Sequence, residues 1–114
     1  MIDDNVEITN MMSKFLRLNG HDCTVSNDGR NGLVLIENQK FDVVLLDIAM
    51  PEFTGYDVVE QLNKNGKLKE NKIILFTASS VSNDKINEMI NKGVYSCLRK
   101  PIGLDELLKT VESK

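Results

Sequence analysis

Two adjacent aspartates, Asp3 and Asp4, a third, Asp47, a threonine, Thr77, and a lysine, Lys100, are the residues of this chain whose types together could do chemistry. Three carboxylates can hold a hard divalent cation such as magnesium, which prefers oxygen ligands and keeps several waters. With charge neutralised in that way, a carboxylate can attack a phosphoryl group, while a hydroxyl and an ammonium bind the phosphoryl oxygens. Taken singly, each residue reads as a helix cap or a solvated charge. Apart from the first pair they are far apart in sequence, so only the fold can assemble them.

Each group stands where a short apolar run ends. Val43-Val44-Leu45-Leu46 leads to Asp47 and Ile73-Ile74-Leu75-Phe76 leads to Thr77. Both runs are continuous rather than alternating, the pattern of strands covered on both faces. Shorter strand candidates are Cys23-Thr24-Val25 and the stretch Tyr95 to Leu98, which leads to Lys100. Helical periods lie between them. One runs from about Val6 to Leu18 and stops at Asn19-Gly20; another follows Asn27-Asp28-Gly29 and fades near Asn38. Val58, Val59 and Leu62 mark a third, with Thr54 as its N-cap and Asp57 in its first turn. Ile86, Met89 and Ile90 mark a fourth, and Leu104, Leu107, Leu108 and Val111 form the apolar stripe of a fifth. Strands alternating with helices predict an α/β fold with a parallel sheet. Right-handed crossovers then bring the carboxyl ends of the strands to one edge, where ligands bind.

The chain has 114 residues, enough for one core, so a single domain over 1–114 is expected. It carries 17 acidic and 14 basic residues, a formal net charge of −3, which argues against direct nucleic-acid or anionic-membrane binding. No apolar run approaches the roughly 18 residues of a membrane span, and no signal-peptide pattern is seen, so a cytoplasmic location is expected. Cys23 and Cys97 lack metal-type spacing and read as unpaired small hydrophobes.

In Asp3-Asp4-Asn5, the stretch Leu45-Leu46-Asp47-Ile48-Ala49-Met50-Pro51-Glu52-Phe53-Thr54-Gly55, Thr77-Ala78 and Lys100-Pro101, the chain resembles the receiver domains of response regulators in two-component signalling. The likeness covers essentially the whole sequence. It implies a flavodoxin-like (CheY-like) five-stranded parallel sheet in the order 2-1-3-4-5 with helices on both faces. It implies that Asp47 accepts a phosphoryl group from a histidine kinase or phosphotransfer protein. Asp4 and Asp47 would bind Mg2+ directly, Asp3 through water, and the Ala49 backbone carbonyl would complete the protein's share. Lys100 and Thr77 would bind phosphoryl oxygens, and the amide after Asp47 would add a donor. A cis Lys100-Pro101 bond would aim the lysine, and Gly55 would supply backbone freedom in a sharp turn. Output would pass through the surface of the fourth helix, fifth strand and fifth helix to a protein partner, and the resemblance allows a dimer.

Two features depart from the family pattern. Only Met1 and Ile2 precede the acidic pair, whereas a strand is typically about 5 to 6 residues, so the first strand reads as truncated. The start could be trimmed, could be a stub pairing only around Ile2 and Asp3, or could be completed by another chain. The aromatic residue expected three positions before the lysine is replaced by Cys97, with Tyr95 the nearest aromatic. A receiver-like module acting without phosphate is the alternative reading. A true enzyme with an aspartyl nucleophile is set aside, because no acid-base partner or substrate cap is visible; His21 reads as a surface residue away from the site.

Overall fold

The computed structural model describes residues 1–77, 81–100 and 103–112. Four of the five helices among the described residues start where a side chain satisfies free backbone amides. The Asn5 side chain accepts from the Ile8 amide ahead of α1 (Val6–Leu18), and Asp28 accepts from the Arg30 and Asn31 amides ahead of α2 (Gly29–Asn38). Thr54 and Asp57 bond each other's backbone reciprocally at the start of α3 (Gly55–Lys64), as a capping box does. Ser82 caps α4 (Asn83–Lys92), and α5 spans Leu104–Glu112.

Three parallel strands, β1 (Val44–Asp47), β2 (Ile73–Thr77) and β3 (Ser96–Arg99), form a sheet in the order β1-β2-β3. Leu46 and Leu75 point to one face and pack with Ile36 of α2, Val58, Val59 and Leu62 of α3 and Met89 of α4. Leu45, Ile74 and Phe76 point to the other and pack with Met12 and Leu16 of α1 and Leu107 of α5. Both faces are therefore covered, which is why the strand sequences are apolar at every position. Burying a side chain such as Phe76, fully enclosed here, contributes about 2 to 3 kcal/mol.

The five-stranded expectation is met in part. Among the described residues, Cys23-Thr24-Val25 does not form a strand; the next residue, Ser26, makes a single parallel bridge to Ile2, and Ile2 makes another to Leu46. The Ile2 amide donates to the Leu45 carbonyl (2.7 Å) and the Asp47 amide to the Ile2 carbonyl (2.8 Å), while Asp3 donates to Ser26 (3.1 Å) and Ser26 to Met1 (2.9 Å). This is the stub pairing considered from the sequence. Between Ser26 and β1 the pairing among the described residues consists of these single bridges at Ile2. The last strand spans Ser96–Arg99, one residue later than the expected Tyr95 to Leu98, although the Tyr95 amide still bonds the Ile73 carbonyl at 2.9 Å.

Candidate functional site

Asp47 is the last residue of β1, Thr77 the last of β2, and Lys100 follows the last residue of β3. Parallel pairing sets Asp47 opposite Phe76 and Thr77 opposite Arg99, so all three positions fall on one edge of the sheet. The bridges at Ile2 bring Asp3 and Asp4 to the same edge beside Asp47.

The Lys100 ammonium lies 3.2 Å from Asp3 Oδ2 and 3.1 Å from Asp47 Oδ1. The two carboxylates are buried, their side chains 1% and 4% exposed, whereas Lys100 is 30% exposed. Asp3 Oδ1 also accepts from the Asn5 amide at 2.9 Å, which orients the carboxylate. Asp4 is exposed, and oxygens of Asp3, Asp4 and Asp47 all lie within 4.8 Å of one another. One ammonium thus bridges two of the three clustered carboxylates.

Burial and the neighbouring charges together set the titration of Asp47 and Lys100. Burial pushes the Asp47 carboxyl above its ordinary pKa and the Asp3 charge adds to the effect, while the hydrogen bond and charge of Lys100 and the Ala49 amide oppose it. Burial works against the Lys100 ammonium, yet its hydrogen bond to Asp47 and the charges of Asp47 and Asp3 outweigh it, so its pKa is raised. Three carboxylate oxygens this close, with one ammonium bonded to two of their groups, suit a divalent cation.

The loop after β1 is held by packing. A Cβ on Gly55 would lie 2.5 Å from the Asp47 carbonyl oxygen and 2.7 Å from Ile48 Cα. Glycine is therefore needed for close approach of α3 to the end of β1, rather than for the backbone freedom expected from the sequence, since its φ is not positive. Glu52 is the residue in this loop that does adopt a left-handed conformation, with φ 64°, which costs a non-glycine residue about 1 kcal/mol or more. Sequence reasoning missed Asn27, whose amide donates to the Asp3 carbonyl (2.7 Å) and to Thr9 Oγ1 (2.9 Å), tying the acidic pair to α1. No sequence signal marked it, because Asn27-Asp28-Gly29 reads simply as a turn.

Cys23 and Cys97 are free thiols. Cys97 pairs with Leu75 in the ladder and packs against the α2-α3-α4 side of the core. Tyr95 is 51% exposed, with the Lys72 ammonium 4.4 Å from its ring centre. Tyr56 of α3, under the Lys85 ammonium at 4.9 Å, packs against the same core cluster as Cys97, as do Phe41 and Phe53. His21 bonds Glu112 of α5 at 3.0 Å, at the surface as expected. The Thr77 side chain and the Lys100-Pro101 bond lie outside the described residues, so the hydroxyl and cis-peptide expectations are not addressed by the structure.

The family model for the response regulator receiver domain matches residues 1–112. The chain belongs to this family. Receiver domains are signalling modules that work with histidine kinases and output domains. This receiver domain is 29% identical to protein PilH of Pseudomonas aeruginosa over 113 residues, covering 99% of this chain and 93% of PilH. It is 27% identical to the probable transcriptional regulator ycf29 of Porphyra purpurea, covering 99% of this chain but 54% of that protein, so it spans about half the length of that relative. Its fold is similar to the receiver domain of Francisella response regulator 1452 (TM-score 0.86, 30% identity, 96% of this chain and 88% of that one). It is also similar to the chemotaxis protein CheY4 of Vibrio cholerae (TM-score 0.85, 30% identity, 97% and 92% covered). Among the described residues no helix is long and apolar enough to cross a membrane.

Proposed function

We propose that this receiver domain accepts a phosphoryl group on Asp47 from a histidine kinase or phosphotransfer protein and relays the change to a protein partner. The observation that carries this reading is the Lys100 ammonium held between the buried carboxylates of Asp3 and Asp47, at 3.2 and 3.1 Å. An Asp47 oxygen attacks phosphorus as the bond from phosphorus to the donor imidazole nitrogen breaks. The bonding electrons return to the ring, leaving an acyl phosphate on Asp47. Lys100 exchanges its contact with Asp47 for a phosphoryl oxygen, and the Thr77 hydroxyl, at the end of β2, binds another.

Asp3, Asp4 and Asp47, with the Ala49 backbone carbonyl, would hold Mg2+, a fit supported by three carboxylates clustered within 4.8 Å, of which Lys100 pairs with Asp3 and Asp47. Bound there, the cation would neutralise the charge that opposes attack of a carboxylate on a phosphoryl group. The bridges on either side of Ile2 support a lane order that corresponds to 2-1-3-4-5. Residues 1–114 act as one receiver unit in the cytoplasm, with α4, β3 and α5 as the output face and a dimer as one way to present it. Transfer and hydrolysis at Asp47 are steps of signalling rather than turnover of a substrate.

Intact mass after incubation with acetyl phosphate, with and without Mg2+, tests the reading on the native chain and on Asp47→Asn. A Mg2+-dependent gain of one phosphoryl group, lost in the variant, is expected. No gain by the folded native chain would overturn the reading in favour of a module acting without phosphate.

A further inference from the structure

The strand end that leads to Lys100 finishes with Arg99, the last residue of β3, set opposite Thr77 in the ladder. Lys100 turns to Asp3 and Asp47, whereas Arg99 turns to the start of α4. Its Nη1 donates to the Val81 carbonyl at 2.8 Å and its Nη2 to Asn83 Oδ1 at 2.6 Å. Those acceptors lie on either side of Ser82, whose hydroxyl oxygen accepts from the Lys85 amide and caps the helix. A helix start is the positive end of the helix dipole, so a cation is held there by placed acceptors rather than by the dipole. The rigid fork of a guanidinium meets two such acceptors at once, in a fixed geometry that an ammonium does not reproduce. The grip matters because α4 is otherwise lightly seated. Among the described residues Met89 is its one buried residue. Lys92 pairs with Glu60 at 3.1 Å and Lys85 lies 4.9 Å from the centre of the Tyr56 ring, both on α3 rather than on the sheet.

We propose that Arg99 is a positioning residue that couples Lys100 to α4, fixing the strand end from which the lysine reaches Asp47 and passing a displacement of that lysine to the helix start. The inference rests on Asp47 being the phosphoacceptor. Consecutive residues make the two sets of contacts, so a single peptide unit joins the side chain in the acidic site to the side chain that grips α4. When Lys100 exchanges Asp47 for a phosphoryl oxygen, its backbone follows, and Arg99 draws on Val81 and Asn83. The coupling is reciprocal, so loosening the helix start leaves Lys100 less well placed for the reaction.

Phosphorylation rates with acetyl phosphate and Mg2+, taken below the Tm of every variant, test this on the native chain, Arg99→Met, Arg99→Lys and Asn83→Ala. Arg99→Met should slow phosphorylation of Asp47 about threefold to tenfold, the effect of a small misplacement at a reacting centre. Asn83→Ala removes one acceptor and leaves Arg99 in place; it should show part of that loss, and none beyond it when combined with Arg99→Met. Arg99→Lys should recover part of the rate. Amide exchange adds a readout that a purely structural brace would not move. At equal phosphate occupancy by intact mass, phosphorylation should change exchange of the Ile86 amide, bonded to the Ser82 carbonyl at 3.2 Å, about fivefold or more in the native chain and less than about twofold in Arg99→Met. A rate unchanged in either Arg99→Met or Asn83→Ala, or an Ile86 response of equal size with and without Arg99, would overturn the inference while leaving phosphorylation of Asp47 in place. A native chain that takes no phosphate would overturn the reading beneath it as well.

Discussion

Asp47→Asn should stabilise the cation-free protein, although it removes the proposed phosphoacceptor. Asp47 is held by one ammonium at 3.1 Å and repelled by carboxylates within 4.8 Å. At an effective dielectric of about 20 the attraction is about 5 kcal/mol and the repulsion from the buried Asp3 about 3, with a smaller screened contribution from Asp4. These nearly cancel, so burial of the charge, a few kcal/mol in a protein interior, is left poorly compensated. An amide at this position still accepts a hydrogen bond from Lys100 and carries no charge. A net gain of about 1 to 2 kcal/mol follows, or about 4 to 8 °C in Tm for a domain of this size. Thermal unfolding in chelator near neutral pH reads it directly. The pH dependence has a fixed sign. Folding raises the Asp47 pKa, so the penalty is absent when both folded and unfolded chains are protonated. It grows as pH rises through the ordinary value of 3.8 and is complete above the folded value. The gap between variant and native protein should therefore close on acidification. Mg2+ should raise the Tm of the native chain more than that of Asp47→Asn. An Asp47→Asn protein that melts at or below the native Tm in chelator at neutral pH would refute the account of the site as short of positive charge.

Three further outcomes are expected. Lys100→Met leaves Asp3 and Asp47 facing each other without a counter-charge and should destabilise the protein by about 2 to 4 kcal/mol in chelator by denaturant titration, with Mg2+ restoring part of the loss. Gly55→Ala places a methyl group against backbone atoms 2.5 and 2.7 Å away; it should cost about 1 to 3 kcal/mol and slow phosphorylation of Asp47, measured by intact mass over time. Asn27→Ala removes the donor shared by Asp3 and Thr9 and should cost about 1 to 2 kcal/mol, with a fall in apparent Mg2+ affinity by calorimetry.

The helices were legible because their caps and apolar stripes are local. Thr54, read as an N-cap, does cap α3, and the Val6–Leu18 bounds read from the sequence are those of α1, while the caps Asn5, Asp28 and Ser82 emerged only in the structure. β1 and β2 were legible because burial on both faces demands unbroken apolar runs. The Cys23-Thr24-Val25 segment was misread for a non-local reason. A strand requires a partner ladder, and among the described residues the neighbouring lane makes only single bridges at Ile2. Gly55 was singled out rightly and explained wrongly, because steric approach of Asp47 and Ile48 is invisible from composition.

By itself the sequence determined the residue types, three carboxylates, a hydroxyl and a lysine, and the apolar runs that carry each to a strand end. Chemistry of side chains and periodicity of burial are local properties, and a single chain displays them. Tertiary structure decided which of those groups share charge. Lys100 spans Asp3 and Asp47, and Asn27 secures the Asp3 backbone. Arg99 is held at the start of α4 by Val81 and Asn83. Such contacts depend on parallel register and on packing between distant segments, and a coulombic interaction has a sign and a size only once the distance and the burial are set.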